Sequence, residues 1–140
     1  MPLTSEQTLI QETAARFATE RLRPHAARWE AEGTLDRAAL KDLGALGFGG
    51  IYVGEQHGGS GLSRLDAVLI FEALSMGDIS HAAFLSIHNM AAGMIDRFGS
   101  DALRAQYLPR LCSADLIASY ALTEPGAGSD AASLKTTARR

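Results

Sequence analysis

The chain has 140 residues, and 13 Lys+Arg against 16 Asp+Glu give a formal charge of −3. A hydrophobic fraction of 46% with 21% charged residues is the balance of an ordinary globular protein, which excludes disorder as the dominant state. Arg16, Arg21, Arg23 and Arg28 are interleaved with Glu20, Glu30 and Glu32 instead of clustering, so a nucleic-acid binder built on phosphate contacts is disfavoured. The single cysteine, Cys112, can build neither an internal disulfide nor a thiolate zinc site, which fits a reducing compartment. No apolar run approaches the ~20 residues that span a bilayer, so no membrane partner is expected. The opening MPLTSEQTLIQETAARF lacks a basic start followed by an apolar stretch, unlike a secretory signal. A start at Met1 points to the cytoplasm, or to the mitochondrial matrix if the source is eukaryotic.

In chain order, Thr4 or Ser5 caps a first helix, with Ile10, Ala14 and Phe17 at helical spacing. Pro24 marks its end or a kink, since proline removes a hydrogen bond and crowds the preceding turn. A short helix follows from Asp36 to about Ala45, with Leu40 and Leu43 inward, and Gly44, Gly47, Gly49 and Gly50 break it. The glycine-rich stretch GFGGIYVGEQHGGSGLSRLD has no regular period and predicts a long loop, of the kind that is functional or mobile. Ser63 then caps a helix with Asp66 three residues on, opened by Leu65, Val68 and Leu69. Ser80 caps the next, whose apolar stripe is Phe84, Ile87, Ala91, Met94, Ile95 and Phe98. Gly99 ends that helix and Ser100 starts another, with Leu103, Tyr107, Leu108 and Leu111 on its buried side. So short a turn predicts antiparallel packing of the pair.

The texture changes after Ala114. LIASYAL reads as a short buried strand, and Ser133 to Arg139 alternates with Leu134, Thr136 and Ala138 on one face. Two strands cannot hide their own edges and faces. The expected organisation is therefore a helical domain over 1–114, followed at 115–140 by the truncated start of a β-domain.

Most chemical signatures fail letter by letter. Gly54 and Gly59 have phosphate-loop spacing, but Ser60 stands where lysine is required. The run around Ser60 misses the nucleophile elbow, because Leu62 occupies the final glycine position. His25, His57, His81 and His88 form no helical metal pair, and each reads as structural or solvated. Cys112 reads as a packing residue at a helix end. The segment YALTEPGAGSD at 120–130 is different: Gly126 and Gly128 let the backbone approach a ligand, and Thr123 and Ser129 add hydroxyls directly after the expected strand. On physical grounds alone a plain Pro-Gly turn is an equal reading.

YALTEPGAGSD resembles the first signature of the acyl-CoA dehydrogenase family. GGSGLSRLDAVLIFEALSMGDIS and SIHNMAAGMIDRFGSDALRAQYLPRL are similar to that family's glycine loop and following helices, so the resemblance runs along the whole chain. It implies a mostly α fold, in which an N-terminal helical bundle leads into the start of a β-barrel-like middle domain. A second helical bundle is then expected downstream. It implies FAD as cofactor, an electron-transferring flavoprotein as electron acceptor, and a homotetramer. The reaction it implies is α,β-dehydrogenation of a short branched acyl-CoA of the isobutyryl type to the enoyl-CoA, as in valine degradation.

Carried over by position, Tyr120, Leu122, Thr123, Gly128 and Ser129 would contact FAD, with the Leu122 backbone and Thr123 at the flavin ring. Ser129 would also lie near the acyl-CoA. Ile87, Met90 and Met94 would line the acyl pocket; core packing at helical spacing is the competing reading, and the spacing favours it. Glu124 is a turn residue expected to hold the loop by local hydrogen bonds, since the family's catalytic base is a glutamate of the C-terminal domain. That base is expected C-terminal of Arg140, so no catalytic residue is expected within this chain. Two other readings are a non-catalytic helical interaction or oligomerisation module, and a flavin oxidase relative of the same family.

Overall fold

The computed structural model describes residues 2–139. Met1 and Arg140, which bound the two expected domains, lie outside the described residues. Six helices carry the fold: α1 (Ser5–Phe17), α2 (Ala26–Glu32), α3 (Arg37–Ala45), α4 (Arg64–Ser75), α5 (Ile79–Phe98) and α6 (Asp101–Cys112). Thr4 caps α1 through its hydroxyl, and Gln7 reaches back to the Thr4 N–H, closing a capping box. Ser63 and Asp66 form the same device on α4. The Gln7 amide also donates to Asp66 Oδ1 at 3.0 Å, tying the two helix starts together. At the other end the Arg23 guanidinium donates to the Met76 carbonyl, so α1 and α4 run side by side in the same direction.

Between α1 and α2 the chain forms one π-helical turn, Ala18–Leu22, before Pro24 ends the run. The widened turn brings Ala18 against Gly77, where an added Cβ would lie 2.5 Å from the Ala18 carbonyl oxygen. Downstream of it, Trp29 is packed between the rings of His25 and His81, at 5.3 and 4.6 Å. The main core joins α1, α3, α4 and α5 around Leu22, Leu43, Ile51, Ile70, Leu74 and Leu85, all fully enclosed. Burying each such side chain stabilises the fold by about 1.5–3 kcal/mol relative to leaving it exposed. A second cluster, with Val53, Ala92, Leu108 and Leu111, packs α6 on α5. The pair is antiparallel as expected: the Asp96 carbonyl meets Arg104, while His88, earlier on α5, meets Leu111, later on α6.

The glycine-rich stretch is a long loop, but it is folded into the core. Ser60, Gly61 and Leu62 donate to the carbonyls of Gly50, Val53 and Ile51, and Ile51 and Val53 are fully buried. Gly44 does not break α3. It lies inside that helix, where a Cβ would come within 2.5 Å of the Ser113 carbonyl oxygen, so it is a contact glycine.

Four further expectations are corrected. Helix α5 begins at Ile79 rather than after Ser80, because Asp78 Oδ1 accepts the His81 N–H at 2.7 Å. The stripe on α5 faces outward in part: Ile87, Met94 and Phe98 are exposed, while the buried face is His81, Ala82, Leu85, His88, Asn89 and Ala92. Leu103 and Tyr107 of α6 are likewise exposed, leaving Leu108 and Leu111 inside. Finally, neither LIASYAL nor 133–139 is a strand. Among the described residues the only β-type pairing is the isolated bridge between Glu124 and Ala127. The β-barrel-like start expected over 115–140 is therefore not formed within 115–139, and Arg140 lies beyond the description. An extended segment becomes a strand only by pairing with a neighbour, and among the described residues 115–139 has no partner strand beyond that single bridge.

Candidate functional site

Two polar side chains in the middle of α5 organise the region around the signature. Asn89 is fully buried; its Oδ1 accepts the Ile51 N–H at 2.7 Å, and its amide donates to the Phe48 and Leu85 carbonyls at 2.8 and 3.0 Å. It thus supplies the glycine-rich loop with the backbone partners that no secondary structure gives it. His88, also enclosed, lies within 3.0 Å of the Leu111 carbonyl through Nε2, while Nδ1 accepts the Ala118 N–H at 3.1 Å. These partners fix the neutral ring with its hydrogen on Nε2. Burial moves the His88 pKa below the usual imidazole range, against the pull of the Leu111 and Gly49 carbonyls. His81 is also structural: Nδ1 faces Asp78 Oδ1 at 2.8 Å, and Nε2 accepts the Asp36 N–H. Among the described residues no group of three His, Cys, Asp or Glu is placed to hold a metal ion.

Ala114, with φ 56, is the one non-glycine residue in the left-handed region among those described. It turns the chain out of α6, and the bond from Ala118 to His88 leads it into the signature. There Tyr120, Leu122, Thr123, Gly128 and Ser129 are all exposed. Within the described residues the backbone N–H groups of Tyr120, Leu122 and Thr123 and the hydroxyls of Thr123 and Ser129 have no hydrogen-bond partner. An added Cβ at Gly126 or Gly128 would meet nothing within 4 Å. The segment therefore presents free donors and acceptors beside open space, a set that suits the polar edge of a planar heteroaromatic ring.

The loop keeps its shape through Glu124. Its backbone pairs with that of Ala127, and its carboxylate accepts the N–H groups of Lys135 and Thr136, each at 2.9 Å, and the Thr136 hydroxyl. The Thr136 hydroxyl, then the two backbone N–H groups, hold the carboxyl below the usual carboxylate range. Glu124 is a brace, as its turn position implied. Cys112 is buried, and burial first, with Asp96 second, pushes its thiol up to about 11, the reverse of a nucleophile's setting.

The residues proposed for an acyl pocket lie on the outer side of α5. Met90 and Met94 line a concavity of about 110 Å³ together with Tyr52, Arg64 and Arg97, and the Arg64 guanidinium stacks 3.9 Å from the centre of the Tyr52 ring. Ile87 is exposed and not part of that wall. Among the described hydrogen bonds, the one linking α5 to the segment that carries Tyr120–Ser129 is that of His88 to Ala118. Sequence reasoning missed His88 and Asn89 as organisers; the available signal was two adjacent polar residues within the otherwise apolar stretch 87–95.

The geometry is that of a helical domain ending in an exposed loop with polar groups unpaired among the described residues. Residues 4–115 match the family described as "Acyl-CoA dehydrogenase, N-terminal domain". The chain belongs to the acyl-CoA dehydrogenase family. It is 52% identical over 138 residues to a mitochondrial isobutyryl-CoA dehydrogenase of Dictyostelium discoideum, covering 99% of this chain and 33% of the relative. Its identity to the corresponding protein of Bos taurus is 49%, covering 100% and 34%. Among solved structures, PigA in complex with FAD matches with a TM-score of 0.90 at 38% identity, covering 99% of this chain and 37% of that one. Butyryl-CoA dehydrogenase from Megasphaera elsdenii matches with a TM-score of 0.86 at 31% identity, covering 97% and 37%. The chain thus spans about one third of the length of the two isobutyryl-CoA dehydrogenases. No described helix is long and apolar enough to cross a membrane.

Proposed function

We propose that this chain forms the N-terminal part of an FAD-dependent acyl-CoA dehydrogenase that converts a short branched acyl-CoA, of the isobutyryl type, to the enoyl-CoA. The observation that carries the reading is the Tyr120–Ser129 loop. It is braced by Glu124, while the backbone of Leu122 and the hydroxyls of Thr123 and Ser129 remain free for a cofactor. The level of identity to two isobutyryl-CoA dehydrogenases along nearly the whole chain supports the substrate class.

In this reading the Leu122 backbone and Thr123 orient the flavin ring, Tyr120 and Gly128 complete the contact, and Ser129 stands between cofactor and thioester. Bound FAD supplies the acceptor for the β-hydrogen, leaving as hydride. Ile87, Met90 and Met94 exclude water from the acyl chain on the outer side of α5. The base that removes the α-proton lies C-terminal of Arg140. An electron-transferring flavoprotein takes the electrons, and the complete protein assembles as a homotetramer. The division between helical and middle domains falls at 114/115, supported by the end of α6 at Cys112 and the left-handed turn at Ala114.

The test is an anaerobic absorbance titration of the complete protein that carries this chain. A flavin spectrum that bleaches with isobutyryl-CoA, and far less with long straight-chain acyl-CoA, is expected. Flavin that does not bleach would refute the substrate, and a colourless protein would refute the cofactor.

A further inference from the structure

We propose that His88 is a positioning residue for the flavin site: its Nδ1 fixes the Ala118 N–H, and through it the course of the chain into Tyr120–Ser129. The proposal rests on reading that segment as the flavin contact. From Ala118 to Thr123 the backbone has no other described hydrogen bond, so this bond is the last fixed point before the free groups of Leu122 and Thr123. The anchor is itself rigid. His88 sits in the middle of a 20-residue helix, is 1% exposed, and is held at Nε2 by the Leu111 carbonyl, one residue before the end of α6. One neutral ring thereby ties the end of α6 to the segment leaving it: the Leu111 carbonyl also accepts the Ala114 N–H, whereas the Ala118 N–H has no other described partner.

The two ring nitrogens can be tested separately in the complete protein. In His88→Asn, Oδ1 takes the place of Nδ1 and keeps the Ala118 bond, while the reach to Leu111 is lost. In His88→Gln the amide nitrogen takes the place of Nε2 and keeps the Leu111 bond, leaving Ala118 N–H unpaired. Each variant forfeits one bond, the buried one to Leu111 in His88→Asn and the part-buried one to Ala118 in His88→Gln, so thermal unfolding should shift down in both. FAD titration of the apoprotein should nevertheless separate them, with His88→Gln weakened by about tenfold or more and His88→Asn close to wild type.

Equal weakening in both variants, tracking their loss of stability, would overturn the proposal, as would no weakening in either. Hydrogen exchange on the wild-type apoprotein provides an arm that needs no variant. The Ala118 amide should be protected while those of Tyr120, Leu122 and Thr123 exchange freely until FAD is added. An unprotected Ala118 would overturn the proposal even if a variant fails to fold. A wild-type protein that binds no FAD would instead refute the flavin reading itself.

Discussion

Replacing Asn89 by alanine isolates what holds the glycine-rich loop inside the fold. The side chain is fully buried and serves the Ile51 N–H and the Phe48 carbonyl, on residues that are 0% and 4% exposed. Its third partner, the Leu85 carbonyl, sits four residues back on the same helix and keeps its helical bond from the residue 89 backbone. Alanine therefore strands one donor and one acceptor, each at about 1–3 kcal/mol, for a total loss of about 2–6 kcal/mol. Against a stability of about 5–15 kcal/mol for a domain, that is a large fraction.

Urea denaturation gives the readout, as a lower midpoint with the slope unchanged. Asn89→Asp supplies the control. Aspartate keeps the acceptor for Ile51 but must be protonated to face the Phe48 and Leu85 carbonyls, so its folded pKa is raised above the unfolded value of ~3.9. Its stability should approach wild type only in acid, below the unfolded pKa, and should fall progressively as pH rises above it. A loss in Asn89→Ala below about 0.5 kcal/mol, the range of ordinary surface changes, would refute the reasoning. So would a pH-independent Asn89→Asp.

Three further outcomes follow from the surroundings of single residues. Gly49→Ala should destabilise by about 1–3 kcal/mol or more, because its Cβ would lie 2.3 Å from the Cys112 carbonyl oxygen and 3.2 Å from that of Leu111. Gly126→Ala, which meets nothing within 4 Å, should change the melting temperature little; comparison of the two melting curves checks both. For Glu124 the folded pKa is depressed, so the brace is complete above the unfolded carboxyl pKa and lost as pH falls through the folded one. The amide resonances of Lys135 and Thr136 should titrate with a midpoint below the usual carboxylate range, and in Glu124→Gln that titration should disappear.

Much of this architecture is legible in the chain because caps and breakers act locally. Thr4, Ser63 and Ser100 sit where their hydroxyls accept the N–H three residues on, and Gly99 ends α5. The face of α5 is not legible in the same way. Counting apolar residues selects Ile87, Met94 and Phe98, but His88 and Asn89 are the ones enclosed, because their polar atoms match backbone groups of segments more than twenty residues away in sequence. Burial of a polar side chain depends on partners that a periodicity cannot contain. LIASYAL does not form a strand for a related reason, since its pattern specifies a willingness to pair and not a partner. The signature is legible as letters, and Glu124 as a turn residue, whereas the bond that leads into it from His88 is not.

The π-turn at Ala18–Leu22 gives this fold an unusual rule for insertions and deletions. Such a turn holds one residue more than the α-helix would, so deleting a single residue there would leave an uninterrupted, well-bonded helix. Everything beyond it would be turned by about 100°, the angle of one helical residue. Trp29 would then point away from His81, and the glycine contact between Ala18 and Gly77 would open. A shorter chain with better local hydrogen bonding would thus be a worse protein, and a length change that looks harmless in a reading frame would be among the most damaging the domain could receive.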